Sequence, residues 1–87
     1  MHAVVVRVNI KDVDDAERSL REEVVPRASQ APGFVAGYWT RKDGTGLSMI
    51  VFESEENAQT ASEMIPGATP ESVDLQGVEV REVVANA

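Results

Sequence analysis

Cysteine is absent from this sequence, which excludes a disulfide framework, thiolate metal sites and thiol nucleophiles. The single histidine, His2, cannot form the usual zinc or iron sites alone and lies near a chain end, where fraying is common. A site made of carboxylates alone stays open, but the acidic residues fall on predicted helix faces and caps, which favours a solvated surface. We therefore expect no metal and no cofactor.

Basic residues are scarce as well. The chain has 8 lysines and arginines against 15 acidic residues, and the net charge of −7 repels phosphate backbones and anionic membranes. No apolar run approaches the roughly 20 residues of a membrane span, and no secretion signal opens the sequence. We expect a cytoplasmic protein with no nucleic-acid or membrane partner.

Glycine-rich phosphate loops and the nucleophile elbow of serine hydrolases are missing too. The 87 residues suit one domain, spanning 1–87, without repeats or low-complexity tracts. A domain of this size buries only about 60–65% of its unfolded surface, so a second chain is an expected source of stability.

Periodicity predicts the first two elements. Residues 2–10 alternate as a strand with the even-numbered positions on one face. The spacing then changes to three and four, which predicts a long first helix beginning at an Asp12 cap. Pro26 predicts a kink near residues 22–26. The apolar stripe of this helix consists of Val13, Ala16, Leu20, Val24 and Ala28.

The second half of the chain reads as a hairpin, a helix and a strand. Two strands, 33–42 and 45–53, are predicted with a tight turn between them, where Asp43-Gly44 supplies a positive φ. A second helix over 54–65 begins at a serine cap and stops before a proline. A last strand over 77–84 follows a polar loop.

The order β-α-β-β-α-β predicts an α+β, ferredoxin-like sandwich. This plan is a four-stranded antiparallel sheet with strands one and three in the centre and two helices on one face. Strand three is apolar on both faces, yet two helices cover only one of them. An exposed apolar patch of a few hundred Å² usually marks an interface. We therefore infer a homodimer whose sheets pack face to face.

Two of the four aromatic residues, Tyr38 and Trp39, are adjacent in the second strand. Neighbouring strand residues point to opposite faces, so one ring lies under the helices and the other faces the partner sheet. The sequence leaves open which ring takes which side. The inner ring is a candidate to stack on an aromatic ligand, with plain core packing as the alternative.

Three stretches carry a resemblance to a known family: the first strand ending in Asn9, "APGFVAG" opening the second, and "VFESEENAQ" leading the third into the second helix. They resemble the antibiotic-biosynthesis-monooxygenase-like (ABM-like) family of the dimeric α+β barrel superfamily, over nearly the whole chain. Members include cofactor-free monooxygenases acting on polycyclic aromatics, haem-degrading enzymes, isomerases and proteins of no known activity. The resemblance implies the scaffold and does not choose among these activities.

The haem-degrading members carry an asparagine late in the first strand, where this sequence has Asn9. They also have a tryptophan in the second helix and a histidine after it. This sequence has Ala61 near the place of that tryptophan and no histidine beyond His2. We therefore expect no haem degradation.

Arg7 and Asn9 are the candidate catalytic residues, because polar groups on a central strand must be paired or meet a wet cavity. Asn9 would hold a substrate carbonyl or phenol, and Arg7 would stabilise a developing enolate or phenolate. The structural alternative has Asn9 bonding the strand-to-helix turn and Arg7 pairing with an acid across the dimer.

Small residues on the second helix predict either a close-packed helix or a cavity beneath it. If a cavity exists, we expect Arg7, Asn9 and one of the two rings to line it, with the loop 66–76 as a lid. The candidate substrate-binding residues are Tyr38, Trp39, Ala61 and Met64. Two functions follow: a cofactor-free monooxygenase-like enzyme for a small aromatic substrate, or a non-catalytic small-molecule-binding or structural barrel.

Overall fold

The computed structural model describes residues 1–87. The strands are β1 (His2–Ile10), β2 (Phe34–Lys42), β3 (Thr45–Phe52) and β4 (Val73–Glu82). The helical elements are α1 (Val13–Ser19), a π-helical segment (Leu20–Val24), α2 (Val25–Ser29) and α3 (Glu55–Ala68). None of the helices is long and apolar enough to cross a membrane.

The four strands form one antiparallel sheet in the order β2-β3-β1-β4, with β1 and β3 in the centre. The predicted α+β, ferredoxin-like plan is thereby confirmed. The turn between β2 and β3 takes its positive φ, 54°, at Asp43, a residue type that tolerates this conformation. The even-numbered face of β1 lies against α3, where Val4 and Val6 join Ile50, Phe52 and Ala58 in the core.

The core of the isolated chain is small. Only 9 of 87 residues are buried, so much apolar surface is left for a cavity and for an open sheet face. Phe52 and Val4 are the largest fully buried side chains. The Phe34 ring meets Phe52 edge-on at 6.4 Å, which extends the core toward β2.

A β-bulge in β2 decides which side chains of that strand face the helices. Phe34 pairs with Phe52 and Ala36 pairs with Val51, so Val35 is an extra residue. The bulge exchanges the faces of all later residues relative to Phe34. Trp39 consequently shares the helix side with Phe34, while Tyr38 is 65% exposed on the opposite, open face. The predicted division of the two rings between the faces is confirmed.

The first predicted helix lies against the sheet only in its second half, α2. The Asp12 carboxylate accepts the N–H of Asp15 at 3.1 Å and begins α1 as predicted. The π-helical segment Leu20–Val24 ends two residues before Pro26, which has no N–H and crowds the carbonyl one turn back. α2 packs on β2 and α3 packs on β1 and β4, whereas α1 makes no comparable contact with a strand.

Two predicted boundaries are wrong. The second helix does not stop before Pro66 but continues to Ala68, because a proline in the last turn forfeits only one backbone bond. The Thr69 hydroxyl then donates to the Ile65 carbonyl at 2.8 Å and helps to close that turn. β4 begins at Val73, because a bulge at Gln76 lets both flanks pair with β1. Only residues 69–72 remain of the predicted lid.

We expect Asp12→Ala to lower the free energy of unfolding by about 1 kcal/mol, because it removes the hydrogen bond that caps α1. Urea denaturation followed by circular dichroism measures the loss. Asp14→Ala is the matched control, since Asp14 is an acid of the same first turn. An equal loss in both variants would assign the effect to charge near the helix start and not to the cap.

Candidate functional site

A cavity of about 520 Å³ lies between the helical layer and the sheet. This volume falls within the range of about 300–1,000 Å³ typical of small-molecule sites. The helix wall contains the whole predicted stripe of the first helix, Val13, Ala16, Leu20, Val24 and Ala28. The sheet contributes Val6, Val8, Ile10, Trp39, Ser48 and Ile50, and α3 contributes Ala61, Met64 and Ile65. The lining is therefore mainly apolar.

The cavity exists because neither helical element fills the space above the centre of the sheet. α1 stands off the strands, and α3 presents the small side chains Ala58 and Ala61 toward them. Thr69 and Pro70, in the short connection after α3, also line the cavity. Of the two alternatives predicted for the small residues of the second helix, the cavity is the one present, and the residues of the predicted 66–76 lid that line it include Thr69 and Pro70.

Trp39 forms the aromatic part of the floor. It is cross-strand from Ser48, which is in turn opposite Val6, so these three residues make one row across the sheet. The benzo ring leans back along β2 over Gly37, where an added Cβ would be 2.7 Å from Cη2 and 2.8 Å from Cζ3. A side chain at position 37 is incompatible with this ring position, so the glycine allows the ring to lie close to the backbone.

Polar groups on the cavity are few. The Ser48 hydroxyl takes part in no hydrogen bond within the protein. Glu17 and Arg41 form an ion pair with Oε1 and Nε 3.5 Å apart, and Arg27 is the third charged residue of the lining. Sequence reasoning missed this pair. Residues two apart in a strand share a face, so Arg41 could have been predicted to face the helices once Trp39 was known to do so.

The predicted site residues separate into two groups. Trp39, Ala61 and Met64 line the cavity, whereas Arg7, Asn9 and Tyr38 do not. The prediction that Arg7 and Asn9 line it is wrong, because the odd-numbered residues of β1 point to the open face. Tyr38 shares that face, directly opposite Met49 of β3.

The structural alternative for Arg7 and Asn9 is only partly correct. Arg7 pairs with an acid at 3.8 Å, but this acid, Glu79, belongs to the same chain. Asn9 is exposed and does not close the turn into α1. That turn is closed by the Ser72 carbonyl, which accepts the N–H groups of Lys11 and Asp12 at 2.7 and 3.3 Å.

Metal ligands do not converge anywhere in the structure, since no group of three or more histidine, aspartate and glutamate residues could hold an ion. His2, the sole histidine, lies at the start of β1 with Nε2 3.4 Å from a Glu55 carboxylate oxygen. His2 is not among the residues that line the cavity.

The open face of the sheet has an apolar half and a polar half. Tyr38, Leu47 and Met49 are about half exposed or more on β2 and β3. On the β1–β4 side, Glu79 pairs with both Arg7 and Arg81, the second at 3.0 Å. The apolar half is an unpartnered surface in the isolated chain.

Comparison with known proteins identifies the fold and no family. No family model matches the chain, and no curated protein matches it. A dimeric ferredoxin-like protein from an uncultured marine organism has a similar crystal structure, with a TM-score of 0.61 and 14% sequence identity. The alignment covers 100% of this chain and 98% of that protein. At this identity the likeness shows the ferredoxin-like fold alone.

Proposed function

We propose that this chain binds a small, mainly apolar aromatic molecule in the cavity between its helices and its sheet. The observation that carries the proposal is the cavity of about 520 Å³ with Trp39 on its floor. A dry cavity of about 150 Å³ accommodates one benzene ring, so this one has room for fused rings. Stacking on an aromatic side chain contributes about 0.5–1.5 kcal/mol beyond the area buried.

The test uses 2-methoxynaphthalene as an uncharged fused-ring probe. We expect saturable binding by calorimetry, because the ring system buries apolar area on Trp39 and the helix stripe. Trp39 is the only tryptophan, so a ¹⁵N-labelled sample has one indole N–H signal, and the probe should shift it. The ring signals of Tyr38, on the opposite face, serve as the internal control. Binding without a shift of the indole signal would show that the probe binds at another site. No binding would refute the proposal.

We also propose that the chain is a homodimer joined through its open sheet faces. Tyr38, Leu47 and Met49 form an exposed apolar half of that face, and such a patch is costly to leave in water. The protein with the similar crystal structure is dimeric, which favours a dimer here. We further propose that the chain belongs to the ABM-like family, and this assignment rests on the sequence resemblance.

Cofactor-free oxygenation is a second candidate, favoured by the shared face of Arg7 and Asn9, which a sheet-to-sheet dimer would enclose. In such a reaction a ring methylene becomes a carbonyl, O₂ supplies the new oxygen atom, and its other atom leaves as water. The substrate supplies the electrons, while Arg7 would stabilise its enolate and Asn9 would hold its carbonyl. Oxygen uptake with a ring ketone that carries such a methylene, for example anthrone, lost in Asn9→Ala, would support this candidate. Uptake unchanged by that substitution would show that Asn9 takes no part in the reaction.

A further inference from the structure

The Glu17–Arg41 pair has unused hydrogen-bonding capacity. Its Oε1 and Nε atoms are 3.5 Å apart, beyond the usual N–H···O distance of about 2.9–3.0 Å. Arg41 Nη1 donates instead to the Asp43 carbonyl at 3.2 Å, which leaves further guanidinium donors free. The two side chains are 44% and 46% exposed, so neither is sealed from an incoming ligand.

We propose that this pair recognises a hydroxyl group of the ligand, and that the ligand is an uncharged hydroxylated aromatic molecule. The inference rests on the proposed function of the cavity. A single oxygen atom about 2.8 Å from each partner can bridge two atoms that are 3.5 Å apart. Such an oxygen donates its proton to Glu17 and accepts an N–H from Arg41, which only a group that is both donor and acceptor can do.

The charges of the pair select against ionised ligands. The pair carries no net charge, so an ionised ligand gains no net Coulomb attraction to offset the loss of its hydration, whereas a hydroxyl satisfies both partners. Arg27 adds a positive charge to the lining, but it lies ten residues further along the helical layer than Glu17. At about 1.5 Å per residue this is about 15 Å away along the axis.

The pair also lies at a suitable distance from the aromatic floor. Arg41 follows Trp39 by two residues on the same face of β2 and is cross-strand from Gly46. Val8 fills the place of the missing side chain there, with its Cγ2 2.7 Å from where a Gly46 Cβ would be. Two strand residues span about 6.6–6.8 Å. A substituent on a fused ring system stacked on Trp39 can therefore reach the pair.

Four probes of the same ring system test the inference by calorimetry: 2-naphthol, 2-methoxynaphthalene, 2-naphthoate and a 2-naphthylmethylammonium salt. We expect 2-naphthol to bind about fivefold to tenfold more tightly than 2-methoxynaphthalene, which cannot donate. Both charged probes should bind more weakly than 2-naphthol.

Substitutions that remove one charge of the pair should raise the affinity for a ligand of the opposite sign to the charge that remains. Glu17→Gln leaves Arg41 unopposed, so 2-naphthoate should gain affinity by at least about threefold while the preference for 2-naphthol falls. Arg41→Gln should give the reciprocal gain for the ammonium probe. Glu22→Gln and Arg21→Gln are the matched controls, because both residues are exposed and neither lines the cavity. A residue that only supports the fold would not produce opposite changes in the two variants.

Three outcomes contradict the inference. Equal affinities for 2-naphthol and 2-methoxynaphthalene overturn it and leave the proposed function intact, since both probes still bind. Tightest binding of 2-naphthoate by the unmodified protein overturns it in favour of an anion site. Failure of all four probes to bind overturns both the inference and the proposed function.

Discussion

Gly37→Ala is expected to weaken binding of 2-methoxynaphthalene by about tenfold or more, because the new methyl group occupies the space of the Trp39 ring. The Cβ would be 2.7 Å from Cη2 of that ring and 3.4 Å from Cε2 of Phe34. The ring must rise into the cavity, where it takes the place of the ligand and loses its flat contact. Overpacking of this kind also costs about 1–3 kcal/mol of stability. Calorimetry measures the affinity, and the indole N–H signal should move without any ligand.

Gly77→Ala is the control for that substitution. Gly77 is also a strand glycine with a negative φ, but a Cβ there would meet nothing within 4 Å. We expect unchanged affinity and equal or slightly higher stability, because alanine lowers the entropy of the unfolded chain. Wild-type affinity in Gly37→Ala would show that Trp39 is not the floor of the ligand site. Equal losses in both variants would point to a general effect on the sheet.

Met49→Glu is expected to separate the homodimer. Met49 lies on the central strand β3, cross-strand from Tyr38 on the open face and 46% exposed in the isolated chain. A face-to-face dimer would bury two unpaired carboxylates, at a cost of about 3–5 kcal/mol or more. The dissociation constant should rise at least about a hundredfold. Sedimentation at micromolar concentration should show the mass falling from twice 9.4 kDa to 9.4 kDa.

Met64→Glu is the matched control for the dimer. Met64 is 65% exposed on α3, on the other side of the sheet from Met49, and receives the same chemical change. We expect this variant to keep the wild-type mass, whatever its effect on the cavity. A wild-type protein of 9.4 kDa at micromolar concentration, or a Met49→Glu variant that stays dimeric, would refute an interface on the open face.

Local patterns in the sequence determined the elements and their order. The period of two along residues 2–10 and the three- and four-residue spacing from Val13 to Ala28 depend only on neighbours within a turn, and both are present in the structure. The Asp12 and Ser54 caps could also be predicted, because a cap needs a side-chain oxygen and an amide three residues later. With right-handed crossovers, this order was enough to give the ferredoxin-like sheet.

Only the tertiary structure decided which side chains meet in the cavity. Strict alternation counted from Phe34 would have placed Tyr38 under the helices, but the extra residue at Val35 reverses the faces and places Trp39 there. Alternation correctly grouped Arg7 with Asn9, yet it could not show that the helices cover the other face of β1. The space below α1 and the meeting of Glu17 with Arg41 likewise depend on how far a helix stands from a sheet. That distance is set by contacts between residues far apart in the chain, which the short-range periodicities of a sequence do not contain.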